Sequence, residues 1–237
     1  MKHLLKLQDL TADELTGILN LADQLKYEKK HNIAHEHLKG QTLGMIFTKS
    51  STRTRVSFEV GMYQLGGSAL FLSDKDIQLG RGEPIKDTAR VLSRMLDGIM
   101  IRTFAQQDVE DLATYGSIPI INGLTDYCHP CQALADIMTL RELIGDTTGK
   151  KFAWVGDANN VALSLAFICG KLGMKFSMAT PKAYQFNDTI MQQIRENAPD
   201  ADFEVTEDPV KAVEDAVAVY TDVWVSMGQE DEKAQRE

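Results

Sequence analysis

Thr42-Leu43-Gly44-Met45-Ile46-Phe47-Thr48-Lys49-Ser50-Ser51-Thr52-Arg53-Thr54-Arg55 runs from a short apolar segment into a cluster of hydroxyls and basic side chains. A short apolar run bounded by polar residues reads as a buried strand, here Thr42 to Phe47. Helical periodicity resumes from Arg53 to Leu65. In open α/β sheets, ligands bind off the carboxyl ends of strands. A helix that starts there offers free backbone N–H groups and a positive dipole end to an anion. The hydroxyls of Ser50, Ser51, Thr52 and Thr54 and the guanidiniums of Arg53 and Arg55 crowd onto that spot. Helix capping explains one hydroxyl but not two adjacent arginines, whose forked donors match phosphate oxygens. The stretch is therefore expected to hold an oxyanion. It is not a nucleotide P-loop, because G-x-x-x-x-G-K-[ST] is absent. Gly80-Arg81-Gly82 starts like a dinucleotide fingerprint, but the sixth position is Ile85 and no strand directly precedes it.

Outward from this stretch the texture alternates. Thr11-Ala12-Asp13-Glu14 has the form of a capping box, and Leu15, Ile18, Leu19, Ala22 and Leu25 follow at helical spacing. A helix is expected over 12–29. Strands are expected at Ala69–Leu72, Gly98–Ile101 and Ile118–Ile121. Helices are expected from Pro84 to Leu96, from Gln107 to Tyr115 and from Pro130 to Ile144, with each proline in the first turn. Gly145 to Gly149 is a polar break, after which the alternation restarts. Phe152–Val155, Lys175–Ala179, Phe203–Val205 and Ala216–Thr221 read as strands. Val161–Leu172 and Asp188–Glu196 read as helices. Repeated strand–helix units imply parallel sheets with helices on both faces. The expected fold class is α/β: two doubly wound lobes, 1–145 and 150–237, joined by the long 130–144 helix. Residues 229–237 are almost wholly polar and acquire no apolar face, so the second lobe is expected to be incomplete.

The 237 residues are 43% hydrophobic and 25% charged, enough for one large core or two smaller ones. The formal net charge of −9 argues against a nucleic-acid partner but not against a small anion held by local basic residues. No segment approaches the roughly 18 apolar residues of a membrane span, and the N-terminus lacks the apolar core of a signal peptide. The three cysteines, Cys128, Cys131 and Cys169, form an odd, low count that suits a reducing cytoplasm. Cys128-His129-Pro130-Cys131 has no second Cys/His pair at zinc-finger spacing, and His31, His35 and His37 lie in a polar connection. No metal site is expected from either.

Four stretches in order resemble one family. Ser51-Thr52-Arg53-Thr54-Arg55 resembles the carbamoyl phosphate signature of the aspartate and ornithine carbamoyltransferases. Asp76-Ile77-Gln78-Leu79-Gly80-Arg81-Gly82-Glu83 is similar to that family's mobile loop, and His129-Pro130-Cys131-Gln132 follows. Asp222-Val223-Trp224-Val225-Ser226-Met227-Gly228 looks like the motif on the ornithine side of the family. The resemblance implies that Ser51, Thr52, Arg53 and Thr54 hold the phosphate of carbamoyl phosphate. It implies that Arg102, His129 and Thr54 polarise the carbamoyl carbonyl, and that Gln132 binds the carbamoyl amide. Gln78 is implied to reach a neighbouring subunit's site, which gives a homotrimer or an assembly of trimers. Asn160, Asp222, Ser226 and Met227 are implied to bind ornithine. No cofactor is implied.

The chain also departs from the pattern. Asp157-Ala158-Asn159-Asn160 stands where Asp-Gly-Asn-Asn is usual, and Leu163 stands where a polar residue is common. The family's His-Cys-Leu-Pro motif does not occur in the sequence, so the chain is expected to stop short of a C-terminal catalytic segment. Two alternatives to ornithine carbamoylation stay open at this point. One is a carbamoyltransferase using putrescine or aspartate. The other is a non-catalytic carbamoyl phosphate-binding or assembly subunit.

Overall fold

The computed structural model describes residues 2–199 and 201–223. The chain divides into two compact units, Met1–Ala135 and Asp136–Glu237. The first contains α1 (Ala12–Lys30), β1 (Thr42–Phe47), α2 (Thr52–Gln64), β2 (Ser68–Ser73), α3 (Ile85–Leu92), β3 (Gly98–Arg102), α4 (Gln106–Tyr115) and β4 (Ile120–Leu124). The division falls inside α5 (Pro130–Ile144).

The four strands of the first unit form a parallel sheet in the order β2-β1-β3-β4. Side chains alternate across it, as strand geometry requires. Leu43, Met45, Phe47 and Met100 cluster with Met62 of α2 on one face. Ile46, Ile99, Ile101 and Ile120 cluster with Ala89 of α3 and with Val109 and Leu112 of α4 on the other. Both faces are thus covered, which is why the strands read as near-continuous apolar runs. The chain leaves β1 for β2 on one side and later returns to place β3 on the other. The strand order therefore reverses between β1 and β3, and such a switch point opens a crevice at the carboxyl edge.

The capping box at the start of α1 is present: the Thr11 hydroxyl accepts from the Glu14 N–H at 3.2 Å, and the Glu14 carboxylate accepts from the Thr11 N–H at 2.9 Å. Pro84 is the residue before α3 rather than part of its first turn, and that helix ends at Leu92, short of Leu96. The fourth strand lies at Ile120–Leu124, later than the expected Ile118–Ile121. Leu4 pairs beside it, donating its N–H to the Ile120 carbonyl and accepting from the Asn122 N–H. Those bonds brace the strand up to Asn122, and pairing with β3 carries it past Gly123 to Leu124, although Asn122 and Gly123 by themselves suggest a turn.

The second unit contains β5 (Lys151–Val155), α6 (Asn160–Lys171), β6 (Lys175–Ala179), α7 (Asp188–Asn197), β7 (Phe203–Thr206), α8 (Pro209–Val213) and β8 (Ala216–Tyr220). Its sheet is again parallel, in the order β7-β6-β5-β8. Here the order reverses between β5 and β8. Stacked or tilted rings run across the strands from Phe203 through Phe176 and Phe152 to Tyr220, with Trp154 stacked on Tyr220. No helix among the described residues is long and apolar enough to cross a membrane.

Candidate active site

The loop after β1 delivers the hydroxyl-and-arginine cluster to the switch point. Ser51 is extended, and its Oγ accepts from the Thr54 N–H at 3.2 Å, so it caps α2. The N–H groups of the first turn ahead of Thr54 have no intrahelical acceptor, and Thr52 and Arg53 are exposed beside them. Arg55 departs from the expected arrangement. Its guanidinium lies 3.7 Å from the centroid of Phe71 on β2, and its Nε is 3.5 Å from Glu59. One turn of helix has carried it away from the loop, leaving Arg53 as the arginine nearest the first turn. Arg53→Ala is expected to weaken carbamoyl phosphate binding by about 1.5–3 kcal/mol, the loss of a charge-assisted bond. Titration calorimetry reads this directly, and an unchanged affinity would remove Arg53 from the site.

Arg102 ends β3, paired with Phe47 at the end of β1. It is 6% exposed, and among the described residues no acceptor reaches its buried Nε. Burial lowers its pKa, yet an arginine's ordinary value is too high for the proton to be lost near neutral pH. A local irregularity sets its place. The register between β3 and β4 slips between Ile101 and Arg102, so that Arg102 faces Leu124 and Gly123 is passed over. Such slips re-aim a side chain at the end of a strand. A Cβ at Gly123 would come within 2.6 Å of Met100 Sδ and 3.1 Å of the Ile101 carbonyl oxygen, so glycine fits this turn of the ladder.

His129 precedes α5 and Gln132 lies in its first turn. The His129 pKa is pushed down to about 4, first by burial and then by the nearby Arg102 cation. Its imidazole is therefore neutral at physiological pH and carries one N–H to donate. The flanking cysteines bond away from it, to Asn122, Leu5 and Gln106. Cys128 Sγ receives Asn122 Nδ2 at 3.3 Å and donates towards the Leu5 carbonyl and Gln106 Oε1, while Cys131 Sγ donates to the Asn122 carbonyl at 3.4 Å. Burial pushes both thiols up to about 12, so they remain protonated. Neither is a thiolate ready for metal or nucleophilic chemistry. Among the described residues no group of three or more His, Cys, Asp or Glu side chains is placed to hold a metal ion. Gln78 opens a 3-10 turn, Gln78–Arg81, and is exposed.

In the second unit, Asp222 follows β8 and the Gly156–Asn159 loop follows β5, on either side of the strand-order reversal. Asn159 Nδ2 donates to Asp222 Oδ2 at 2.9 Å. Its Oδ1 accepts from the N–H groups of Val161 and Ala162 and so caps α6. Asn160 is the first residue of that helix, and its carbonyl accepts from Ser164 Oγ at 2.8 Å. Asparagine's preference for the N-cap accounts for Asn159 at this place. Leu163 is 3% exposed and belongs to the buried run Val161–Cys169. In this unit it is a core residue. Ser226 and Met227 lie outside the described residues.

The model for the aspartate/ornithine carbamoyltransferase carbamoyl-P binding domain matches residues 2–142, and that for the Asp/Orn binding domain matches residues 148–237. An ornithine carbamoyltransferase from Oceanobacillus iheyensis is 54% identical, over 100% of this chain and 74% of that protein. One from Bacillus subtilis is 53% identical, over 99% and 73%. The solved ornithine carbamoyltransferase from Pyrococcus furiosus superposes with a TM-score of 0.94 at 53% identity, covering 99% of this chain and 76% of that one. The chain thus spans about three quarters of the length of these relatives.

Proposed function

This chain belongs to the aspartate/ornithine carbamoyltransferase family, and on that premise we propose that it transfers the carbamoyl group of carbamoyl phosphate to the δ-amine of L-ornithine, giving L-citrulline and phosphate. One observation carries the chemistry: a buried arginine whose Nε has no acceptor among the described residues, beside a neutral histidine, at the same sheet edge as a capped helix start. Fixed donors of this kind stabilise charge that develops on a carbonyl oxygen. Ser51, Thr52, Arg53 and Thr54 take the phosphate. Arg102, His129 and Thr54 take the carbonyl oxygen, and Gln132 takes the carbamoyl amide. Asn160, Asp222, Ser226 and Met227 take the amino-acid end of ornithine. On this reading residues 1–145 serve carbamoyl phosphate and residues 150–237 serve ornithine.

The neutral δ-amine attacks the carbamoyl carbon, a tetrahedral intermediate forms, and the C–O bond to phosphate breaks. Holding the two substrates in line supplies much of the rate, and the sequence calls for neither a metal nor a redox cofactor. Because the amine must first lose a proton, turnover rises with pH. An acceptor panel tests the assignment. Ornithine is expected to be preferred over putrescine, which lacks the carboxylate, and over aspartate by at least about 10²-fold in kcat/KM. Equal or better turnover of either rival would reassign the acceptor.

The protein works in the cytoplasm as a homotrimer or an assembly of trimers. The edge of the first sheet supports self-association: Val56, Val60 and Tyr63 of α2 and Leu70 and Phe71 of β2 are all exposed there. A cluster of large exposed apolar side chains is a usual mark of an interface. With Gln78 acting in a neighbour's site, mixing Gln78→Ala chains with Arg53→Ala chains is expected to restore part of the activity that each variant lacks alone. No recovery after verified subunit exchange would place Gln78 in its own subunit's site.

A further inference from the structure

We propose that Lys49 is a positioning residue that fixes the distance between the phosphate end and the carbamoyl end of the site. The proposal rests on the reading above that carbamoyl phosphate binds at this edge. Three strand ends meet here: Ser51–Thr54 follow β1, Arg102 ends β3 at the start of its loop, and His129 follows β4. Neighbouring strands tie their loops through the backbone. The Thr48 N–H donates to the Arg102 carbonyl, the Thr103 N–H to the Leu124 carbonyl, and the Asp126 N–H to the Phe104 carbonyl. The first of these joins β1 to β3, and the other two join β3 to β4. In the order β2-β1-β3-β4, however, β1 and β4 are not adjacent, so the ladders tie the phosphate loop to the His129 loop through β3 and not directly.

Lys49 spans that gap. Its side chain is 6% exposed, and its ammonium pairs with the Asp126 carboxylate. The same ammonium lies 4.2 Å over the Phe104 ring, in the loop between the two. A lysine is almost never so buried unless it is paired. The contacts run from the residue two before the Ser51 cap to the residue three before His129, by way of the residue two after Arg102. Lys49 therefore acts on all three functional groups through the loops that bear them.

Binding, rather than turnover, gives the discriminating test. Inorganic phosphate needs the α2 start alone, whereas carbamoyl phosphate needs both ends at the right separation. Removing the link with Lys49→Met is expected to weaken carbamoyl phosphate by about 10-fold or more, since misplacements of around 1 Å carry penalties of that size and larger. Inorganic phosphate is expected to stay within about threefold, as only the spacing is lost. Lys49→Arg, which keeps a cation on a long stem, is expected to recover most of the carbamoyl phosphate affinity. Asp126→Asn acts at a side chain that is 65% exposed, so it does not endanger folding. It is expected to reproduce the selective loss, and the double variant to add little to either single one. Parallel losses of both ligands would make Lys49 a direct phosphate contact, and unchanged carbamoyl phosphate affinity in Asp126→Asn would dismiss the tether. Either result overturns the proposal. Failure to form citrulline would instead count against the proposed reaction, because these affinities are read without turnover.

Discussion

Replacing Arg102 with Met is expected to lower kcat for carbamoyl transfer by about 10²–10³-fold, the usual effect of removing one preorganised donor from a developing oxyanion. The same substitution is expected to stabilise the fold. Arg102 is a buried cation whose Nε has no acceptor among the described residues. Leaving a donor unsatisfied in the interior costs about 1–3 kcal/mol. An apolar side chain of similar length removes that penalty, so the unfolding free energy is expected to rise by about 1 kcal/mol in urea titrations. The paired outcome matters more than either half. Lost activity with lost stability would make Arg102 a structural residue, and retained activity would leave the carbonyl without its main electrophile.

The second large effect is expected at His129. With its pKa pushed down to about 4 by burial and then by Arg102, the imidazole donates as a neutral group. His129→Leu is expected to lower kcat by about 10²-fold through loss of that donor. The wild-type rate is expected to show no inflection near pH 6.5 from this residue. Stability follows the same shift. Between about 6.5 and about 4 the unfolded chain binds a proton at His129 that the folded chain refuses. Stability therefore falls as pH falls through that window, by up to about 3 kcal/mol from this group, and flattens below it. His129→Leu should remove this part of the acid sensitivity, measured by denaturant titrations at pH 7, 5.5 and 4. An unaltered pH slope would mean that His129 titrates normally.

Much of this site was legible in the sequence because its parts obey local rules. Five apolar residues, Leu43 to Phe47, before a hydroxyl-rich turn can hardly be anything but a strand feeding a helix, and Arg102 follows an apolar run at the same sheet edge. What escaped depends on contacts between distant segments. Gly123 reads as a turn, and becomes part of β4 because β3 pairs on past it, with Arg102 opposite Leu124. Lys49 is one basic residue of the cluster after β1, and its burial depends on Phe104 and Asp126, which lie more than fifty residues further on. Arg55 and Arg53 are indistinguishable as letters, yet helical rotation sends Arg55 to Phe71. Leu163 stands where a polar residue is common, and the packing around α6 buries it. Periodicity carries no information about any of these partners.

Carbamoyl phosphate labelled with carbon-13 at the carbamoyl carbon, incubated with the protein and L-ornithine, tests the central claim most directly. Carbon NMR is expected to show the label moving to the ureido carbon of citrulline, one for each phosphate released. Binding of carbamoyl phosphate without labelled citrulline, or phosphate release with the label passing to bicarbonate, would contradict it.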